Sequence, residues 1–212
     1  MACRSSSFTL SLGAMILEIV KYGHPALRMP GARIDSVTPE IRALARDMVE
    51  TMRHAEGVGL AAQQVGEPLQ LCVLDVPQSE DRPSTLWIGG TKQDPEDHMP
   101  MVLLNPELQL GKEKVLGTEG CLSFPEISAE IRRPSHCRVK ASDLDGHPVE
   151  FECEGLLSRA VQHELDHLRG ILFIDRMDSA TKHSLKRDIQ AIQQETAVAL
   201  QSATRQQNVA KR

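Results

Sequence analysis

The chain has 212 residues, a net charge of −5, and ordinary shares of hydrophobic (41%) and charged (25%) residues. These values predict one soluble domain with appendages. The acidic balance argues against a dedicated nucleic-acid binder, and no apolar run reaches the roughly 18 residues of a membrane span. The chain has five cysteines. Because this number is odd, at least one thiol is expected to be free, and a reducing compartment is favoured.

The first predicted helix covers residues 38–56. Thr38 is a suitable N-cap and Pro39 fits the first helical position. Apolar residues then recur every three or four positions, and Gly57 ends the pattern. The next segment, GVGLAAQQVG at residues 57–66, contains too much Gly and Ala to predict a regular strand.

Two strands are predicted at residues 69–76 and 101–108. The stretch between them, residues 76–100, is polar and interrupted by Pro and Gly, so it predicts a long, solvated loop. Residues 137–153 predict a β-hairpin, because two alternating segments flank an Asp-Gly pair at positions 145–146.

The last third of the chain is mainly helical in pattern. A helix is predicted at residues 156–168 and stops at Gly170, followed by a short extended piece at residues 171–177. A second long helix is predicted from residue 178 or 179 to about residue 204. Hairpins with segregated helices are typical of an α+β fold.

The domain limits are predicted from composition. The first fourteen residues are Ser-rich and lack acidic residues, which indicates a disordered or non-native extension; a short targeting segment is the alternative. We expect a catalytic domain at residues 15–177 and a C-terminal helix and tail at residues 178–212.

The strongest chemical signal is HELDH at residues 163–167. On a helix, His163 and His167 project from one face and can share a metal ion, while Glu164 can reach a water molecule beside that ion. Glu164 also lies on the apolar stripe of this helix, and a buried carboxylate between two histidines needs a partner such as a metal.

A catalytic metal site needs a third protein ligand and an open position. The longer metalloprotease pattern would place a third histidine at position 173, where this chain has Phe173. Cys121, in EGCLS at residues 119–123, is therefore the candidate. A lone cysteine is usually a small core residue, but with HELDH it completes an N/N/S ligand set.

Three motifs in order, GVGLAAQQ (57–64), EGCLS (119–123) and QHELDHLRG (162–170), resemble those of the peptide deformylases. YGHPALR near the start, LNPEL and LFIDRM agree as well, so the resemblance covers about residues 16–177. It implies an α+β fold with antiparallel sheets packed around a central metal-binding helix, and a long C-terminal helix.

The resemblance also implies a role for each site residue. Cys121, His163 and His167 would bind the metal, and Glu164 would be the catalytic base. The Gln64 amide and the Leu122 backbone N–H would support the oxyanion, Gly59 would align the peptide, and Val58 would line the methionine pocket. Glu119 resembles the acid that pairs with a downstream arginine, for which Arg133 is the best match and Arg132 is the alternative.

The implied reaction removes the formyl group from N-formylmethionine of newly made polypeptides. Glu164 accepts a proton from the attacking water and delivers it to the leaving amine. The cofactor would be one divalent ion, Fe(II) in the cell, with zinc, nickel and cobalt also suited to the ligands. We expect a monomer in the bacterial cytoplasm, in preference to an organelle, with transient ribosome contact, no nucleic-acid readout and no membrane association.

Two other interpretations stay open from the residues. A zincin-type metallo-endopeptidase would explain HELDH but leaves EGCLS and GVGLAAQQ without a role. A structural metal site would need four protein ligands, whereas only three candidates are present alongside Glu164.

Overall fold

The structure is a computed structural model that describes residues 13–210, and side chains up to residue 206. The N-terminal extension predicted at residues 1–14 therefore lies almost wholly outside the described residues. Within the described part, no helix has the length and apolarity needed to cross a membrane.

Residues 13–210 form nine strands and four α-helices. The strands are β1 (Gly59–Ala61), β2 (Leu71–Leu74), β3 (Ser84–Ile88), β4 (Thr91–Gln93), β5 (Met101–Leu110), β6 (Lys114–Cys121), β7 (Phe124–Pro134), β8 (His136–Ser142) and β9 (Pro148–Glu154). The helices are α1 (Pro39–His54), α2 (Gly155–Leu168), α3 (Ser179–Ser184) and α4 (Lys186–Ala210). Short 3-10 turns cover Pro25–Arg28, Ala62–Val65, Pro95–His98 and Phe173–Asp175.

The strands form two antiparallel sheets. Seven strands follow the order β1-β2-β5-β8-β9-β3-β4, and β6 and β7 form a separate long hairpin. Helix α2 lies between them: it packs on the seven-stranded sheet through β1, β2, β3 and β9, and also contacts β7. Almost every residue of α2 is buried. The predicted α+β fold with a central helix and a long C-terminal helix is confirmed.

Three apolar clusters hold these layers together. One lies between α2 and the seven-stranded sheet, and a second packs α1 against β2 and the segment before it. The third joins β7 to the residues after α2 and includes Ile189 of α4. The HELDH motif is thus carried by a helix that is buried along almost its whole length.

Several predicted elements are confirmed. Helix α1 begins at Pro39, and the Thr38 hydroxyl caps it by accepting a hydrogen bond from the Ile41 N–H. Strands β2 and β5, the β8–β9 hairpin with its turn at residues 143–147, and helix α2 all occur where the pattern placed them.

Other elements differ from the prediction. The expected loop at residues 76–100 contains the β3–β4 hairpin, whose turn uses Gly89 and Gly90 at positive φ, and Leu86 of β3 is buried in the main sheet. Residues 59–61 form a short strand, because they pair with β2. The extended piece expected at residues 171–177 is instead a 3-10 turn, and the long helix expected from residue 178 breaks at Leu185.

Candidate metal centre

Helix α2 presents the two histidines of HELDH toward the β6–β7 hairpin. His163 and His167 are one turn apart, with ring centroids separated by 5.1 Å, and both are buried. The helix starts at Gly155, whose positive φ and tight approach to the Pro83 backbone leave no room for a side chain.

The hairpin supplies the third candidate ligand. Cys121 ends β6, and its Sγ lies 3.3 Å from Nε2 of His167. Ligand atoms of Cys121, His163 and His167 all lie within 4.8 Å of one another. The structure therefore brings together the three residues that the sequence suggested, although Cys121 and His167 are 46 positions apart in the chain.

The donor set fits a divalent metal ion. In a tetrahedral site, metal–ligand bonds of about 2.0–2.3 Å place neighbouring ligand atoms roughly 3.5 Å apart, close to the sulfur–nitrogen distance here. His163 Nδ1 is hydrogen-bonded to Glu119 at 3.0 Å, which leaves its Nε2 free for an ion. Burial holds the pKa of His167 well below its ordinary value, so this imidazole is neutral and able to ligate.

His163 differs from His167 in its proton affinity. Burial disfavours its charged form, yet hydrogen bonds with Cys121 and Glu119 raise its pKa well above the ordinary value. A metal ion bound to Nε2 of His163 would take the place of a proton on that nitrogen, so metal binding would release a proton from the site.

Glu164 is buried beside the three candidate ligands. Burial raises the pKa of Glu164 to about 7, in opposition to the nearby positive charges of His163 and Arg133. Its Oε2 has no hydrogen-bond partner among the described residues. A carboxylate with a free oxygen and a pKa near neutrality is suited to take up and release a proton.

Gly59 packs directly on this carboxylate. A Cβ at position 59 would come within 2.8 Å of Cδ and 2.9 Å of Cγ of Glu164. The glycine is therefore required by close packing on the side chain of Glu164. The sequence motif alone gave no indication of this contact.

The amide of Gln64 has a fixed orientation. Its Oε1 accepts a hydrogen bond from the Ala61 N–H at 2.9 Å, so its Nε2 is turned toward Cys121 Sγ (3.6 Å) and Ser123 Oγ (3.4 Å). The N–H groups of this buried amide thus point at the candidate metal centre, where they can donate to a developing negative charge.

The turn after Cys121 is held by the N-terminal segment. Lys21 Nζ donates to the Leu122 carbonyl at 2.8 Å, and the Tyr22 N–H donates to the Ser123 carbonyl at 2.9 Å. These contacts fix the backbone that carries the Leu122 N–H. Sequence reasoning did not assign a role to Lys21.

His163 contacts a buried network of ion pairs through Glu119. Of the two arginines that the sequence left open, Arg133 contacts Glu119, with Nε at 2.7 Å and Nη2 at 2.9 Å from its oxygens. Arg133 Nη1 also donates to Asp166 at 2.6 Å. Burial would raise the pKa of Glu119, but hydrogen bonds from His163 and Arg133 hold it well below its ordinary value. Glu119 is therefore an anion that orients His163.

The candidate centre opens into a cavity of about 650 Å³. Its walls combine apolar side chains with the polar groups described above, and Val58 contributes to them. Leu156, Ala160 and His163 project into the cavity from successive turns of α2. The cavity is large enough for a methionyl side chain and the start of a peptide.

A second group of potential ligands is explained by a turn. Asp143, Asp145 and His147 lie close together at the tip of the β8–β9 hairpin. Asp143 Oδ1 accepts hydrogen bonds from the N–H groups of Asp145 and His147, both at 2.8 Å. The half-buried Asp143 side chain thus stabilises the turn, and no metal is needed to account for the group.

Comparison with protein families decides the assignment. A family model described as "Polypeptide deformylase" matches residues 16–183 of this chain. The chain belongs to the polypeptide deformylase family. The family assignment does not favour the alternative of a zincin-type endopeptidase.

Known deformylases agree with this assignment. A peptide deformylase of Methylacidiphilum infernorum is 46% identical over 184 residues, which cover 87% of this chain and 96% of that protein. The crystal structure of the Thermotoga maritima peptide deformylase covers 77% of this chain and 98% of its own, with 36% identity and a TM-score of 0.66. The Ehrlichia chaffeensis peptide deformylase in complex with actinonin has 31% identity, covers 85% and 98% of the two chains, and has a TM-score of 0.72.

Proposed function

We propose that this chain hydrolyses the N-formyl amide of N-formylmethionyl polypeptides and releases formate, at a metal centre formed by Cys121, His163 and His167. The observation that carries the proposal is the convergence of these three ligand atoms within 4.8 Å, next to the buried Glu164. Family membership supports the reaction, because the related proteins are named peptide deformylases.

The residues around the centre divide the chemistry between them. A divalent ion bound there supplies a Lewis acid for the formyl carbonyl and lowers the pKa of a water molecule toward roughly 7. Glu164 takes a proton from the attacking water and delivers it to the leaving amine nitrogen. The amide of Gln64 and the N–H of Leu122 donate hydrogen bonds to the oxygen that becomes negative; one such donor is worth about 3 kcal/mol.

The cavity walls hold the rest of the substrate. We assign the methionine side chain to the apolar wall that includes Val58, and peptide alignment to the backbone of Gly59. Gly59 packs tightly against Glu164, and this supports the second assignment. A peptide aligned along the Gly59 backbone would lie at a constant distance from the catalytic base.

We propose Fe(II) as the ion in the cell. Two imidazoles and a thiolate suit iron, zinc, nickel and cobalt, so the donor set limits the choice to soft-to-borderline metals. An Fe(II)–thiolate site is expected to lose activity in air, because Cys121 can be oxidised. Activity that is unaffected by prolonged exposure to oxygen would argue for another ion.

The reaction is tested by formate release from formyl-Met-Ala-Ser. We expect protein loaded anaerobically with Fe(II) to release one formate per peptide and to leave casein intact. Gln64→Leu removes a proposed oxyanion donor, so we expect it to lower kcat by about 10²–10³-fold with little change in metal content. Cleavage of casein without formate release would show that the proposed reaction is wrong.

Three further expectations concern the rest of the chain. The division into a catalytic unit at residues 15–177 and an appendage at 178–212 is a proposal; Ile189 of α4 nevertheless packs into the cluster that contains β7. We also propose a monomer whose partners are formylated nascent peptides, with ribosome contact through the largely exposed α4. Salt-sensitive pelleting with ribosomes tests that contact.

A further inference from the structure

Glu119 has a second positive partner besides Arg133. Arg159 Nη1 donates to Glu119 Oε1 at 2.7 Å, on the same oxygen that Arg133 Nε contacts. The other oxygen, Oε2, receives Arg133 Nη2 and faces Nδ1 of His163. Two guanidinium groups therefore fix both the charge and the rotation of the carboxylate that orients His163.

Arg159 also ties helix α2 to both strands of the β6–β7 hairpin. Nη1 donates to the Ile131 carbonyl of β7 at 2.9 Å and to the Gly117 carbonyl of β6 at 3.3 Å. Nη2 donates to the Val115 carbonyl at 3.2 Å. Because Arg159 lies one turn before His163 on α2, these bonds fix the hairpin that carries Cys121 relative to the helix that carries the histidines.

Gly117 makes room for this guanidinium. A Cβ at position 117 would lie 2.7 Å from Nη2 and 2.9 Å from Cζ of Arg159. The φ angle of Gly117 is not in the left-handed region, so the effect of a side chain at this position would be to displace the Arg159 guanidinium. Gly117 and Arg159 form a matched pair across the hairpin and the helix.

We propose that Arg159 is a positioning residue for the metal centre, acting through Glu119 on His163 and through the hairpin carbonyls on Cys121. The inference rests on the proposed metal centre and adds to it a residue outside the recognised motifs. Its planar guanidinium forks between a carboxylate and three carbonyls, a geometry that the single ammonium of lysine does not reproduce. Removing partners that orient a ligand typically weakens metal affinity by 10–100-fold.

The test measures metal affinity directly. Co(II) binding to the metal-free full-length chain is titrated anaerobically against a chromophoric chelator, and thermal unfolding of the metal-free protein is followed in parallel. We expect Arg159→Lys to raise the Co(II) Kd by about 10–100-fold and to alter the visible absorption of bound Co(II). Gly117→Ala retains the arginine but displaces it, so we expect a Kd change in the same direction.

Arg138→Lys is the matched control, because Arg138 is exposed on β8 and, among the described side chains, pairs only with Glu152. Its Kd should equal that of the wild type. A purely structural role would lower the unfolding temperature of the Arg159 variant and leave Kd unchanged. Kd values within twofold of wild type in folded Arg159→Lys, or in Gly117→Ala if the first variant does not fold, would overturn the proposal. A wild-type chain that binds no Co(II) would instead overturn the metal centre itself.

Discussion

Replacing Glu164 with glutamine is expected to lower kcat for formate release by about 10²–10⁴-fold, the usual contribution of a positioned acid–base group. Glutamine preserves the size of the side chain but cannot take a proton from water. We base this expectation on two observations: Glu164 is buried, and it lies next to the two histidines. The measurement is steady-state formate release from formyl-Met-Ala-Ser.

Metal content is the control for this substitution. Glu164 is not among the three candidate ligands, so the glutamine variant should hold as much metal per chain as the wild type. Full activity in a metal-loaded Glu164→Gln protein would show that another group moves the proton.

The largest effect on stability is expected at Arg133. Its side chain is only 5% exposed and bridges Glu119 and Asp166 in the interior. Arg133→Met leaves both carboxylates buried with fewer compensating charges, and breaking such a pair typically costs about 3–5 kcal/mol. We expect the lower end of this range, because Arg159 still contacts Glu119 and Arg176 still contacts Asp166. Urea denaturation of the metal-free protein measures the change.

Arg138→Met is the comparison for this stability measurement. Arg138 is exposed and its pairing with Glu152 is open to solvent, so its loss should leave the free energy of unfolding close to that of the wild type. Equal effects at the two positions would mean that the buried network does not stabilise the fold.

The sequence predicted which candidate ligands lie together better than it predicted the fold around them. His163 and His167 are four positions apart on a helix, so helical geometry alone places them on one face. The need for a third ligand then directed attention to Cys121, and the structure brings its sulfur next to them. Potential ligands at a fixed spacing within one helix can therefore be predicted from a single sequence.

The β6–β7 hairpin was not predicted, although β7 carries a signal. Ile127, Ala129, Ile131 and Arg133 point inward, alternating with exposed polar residues. The inward position occupied by Arg133 breaks the apolar pattern, because that arginine is buried by its ion pairs and not by its hydrophobicity. The β3–β4 hairpin was missed for a related reason: its few apolar residues are enclosed by long polar segments.

Contacts between distant segments were beyond prediction from the sequence. Arg159 and Gly117 both lie outside the three sequence motifs. Their fit depends on the packing of the hairpin against α2, which no local pattern encodes. The same holds for Lys21, which reaches the turn after Cys121 across 101 positions of the chain.

The most direct test of the metal centre is the number of metal ions per chain after anaerobic loading with Fe(II) and removal of free ion. We expect about one ion in the wild type and in Cys153→Ala, since Cys153 lies in the sheet opposite Cys137 and away from the centre. Cys121→Ala should lose the ion under the same treatment, because a three-ligand site without its thiolate binds weakly. One tightly held ion in Cys121→Ala would contradict the proposed ligand set.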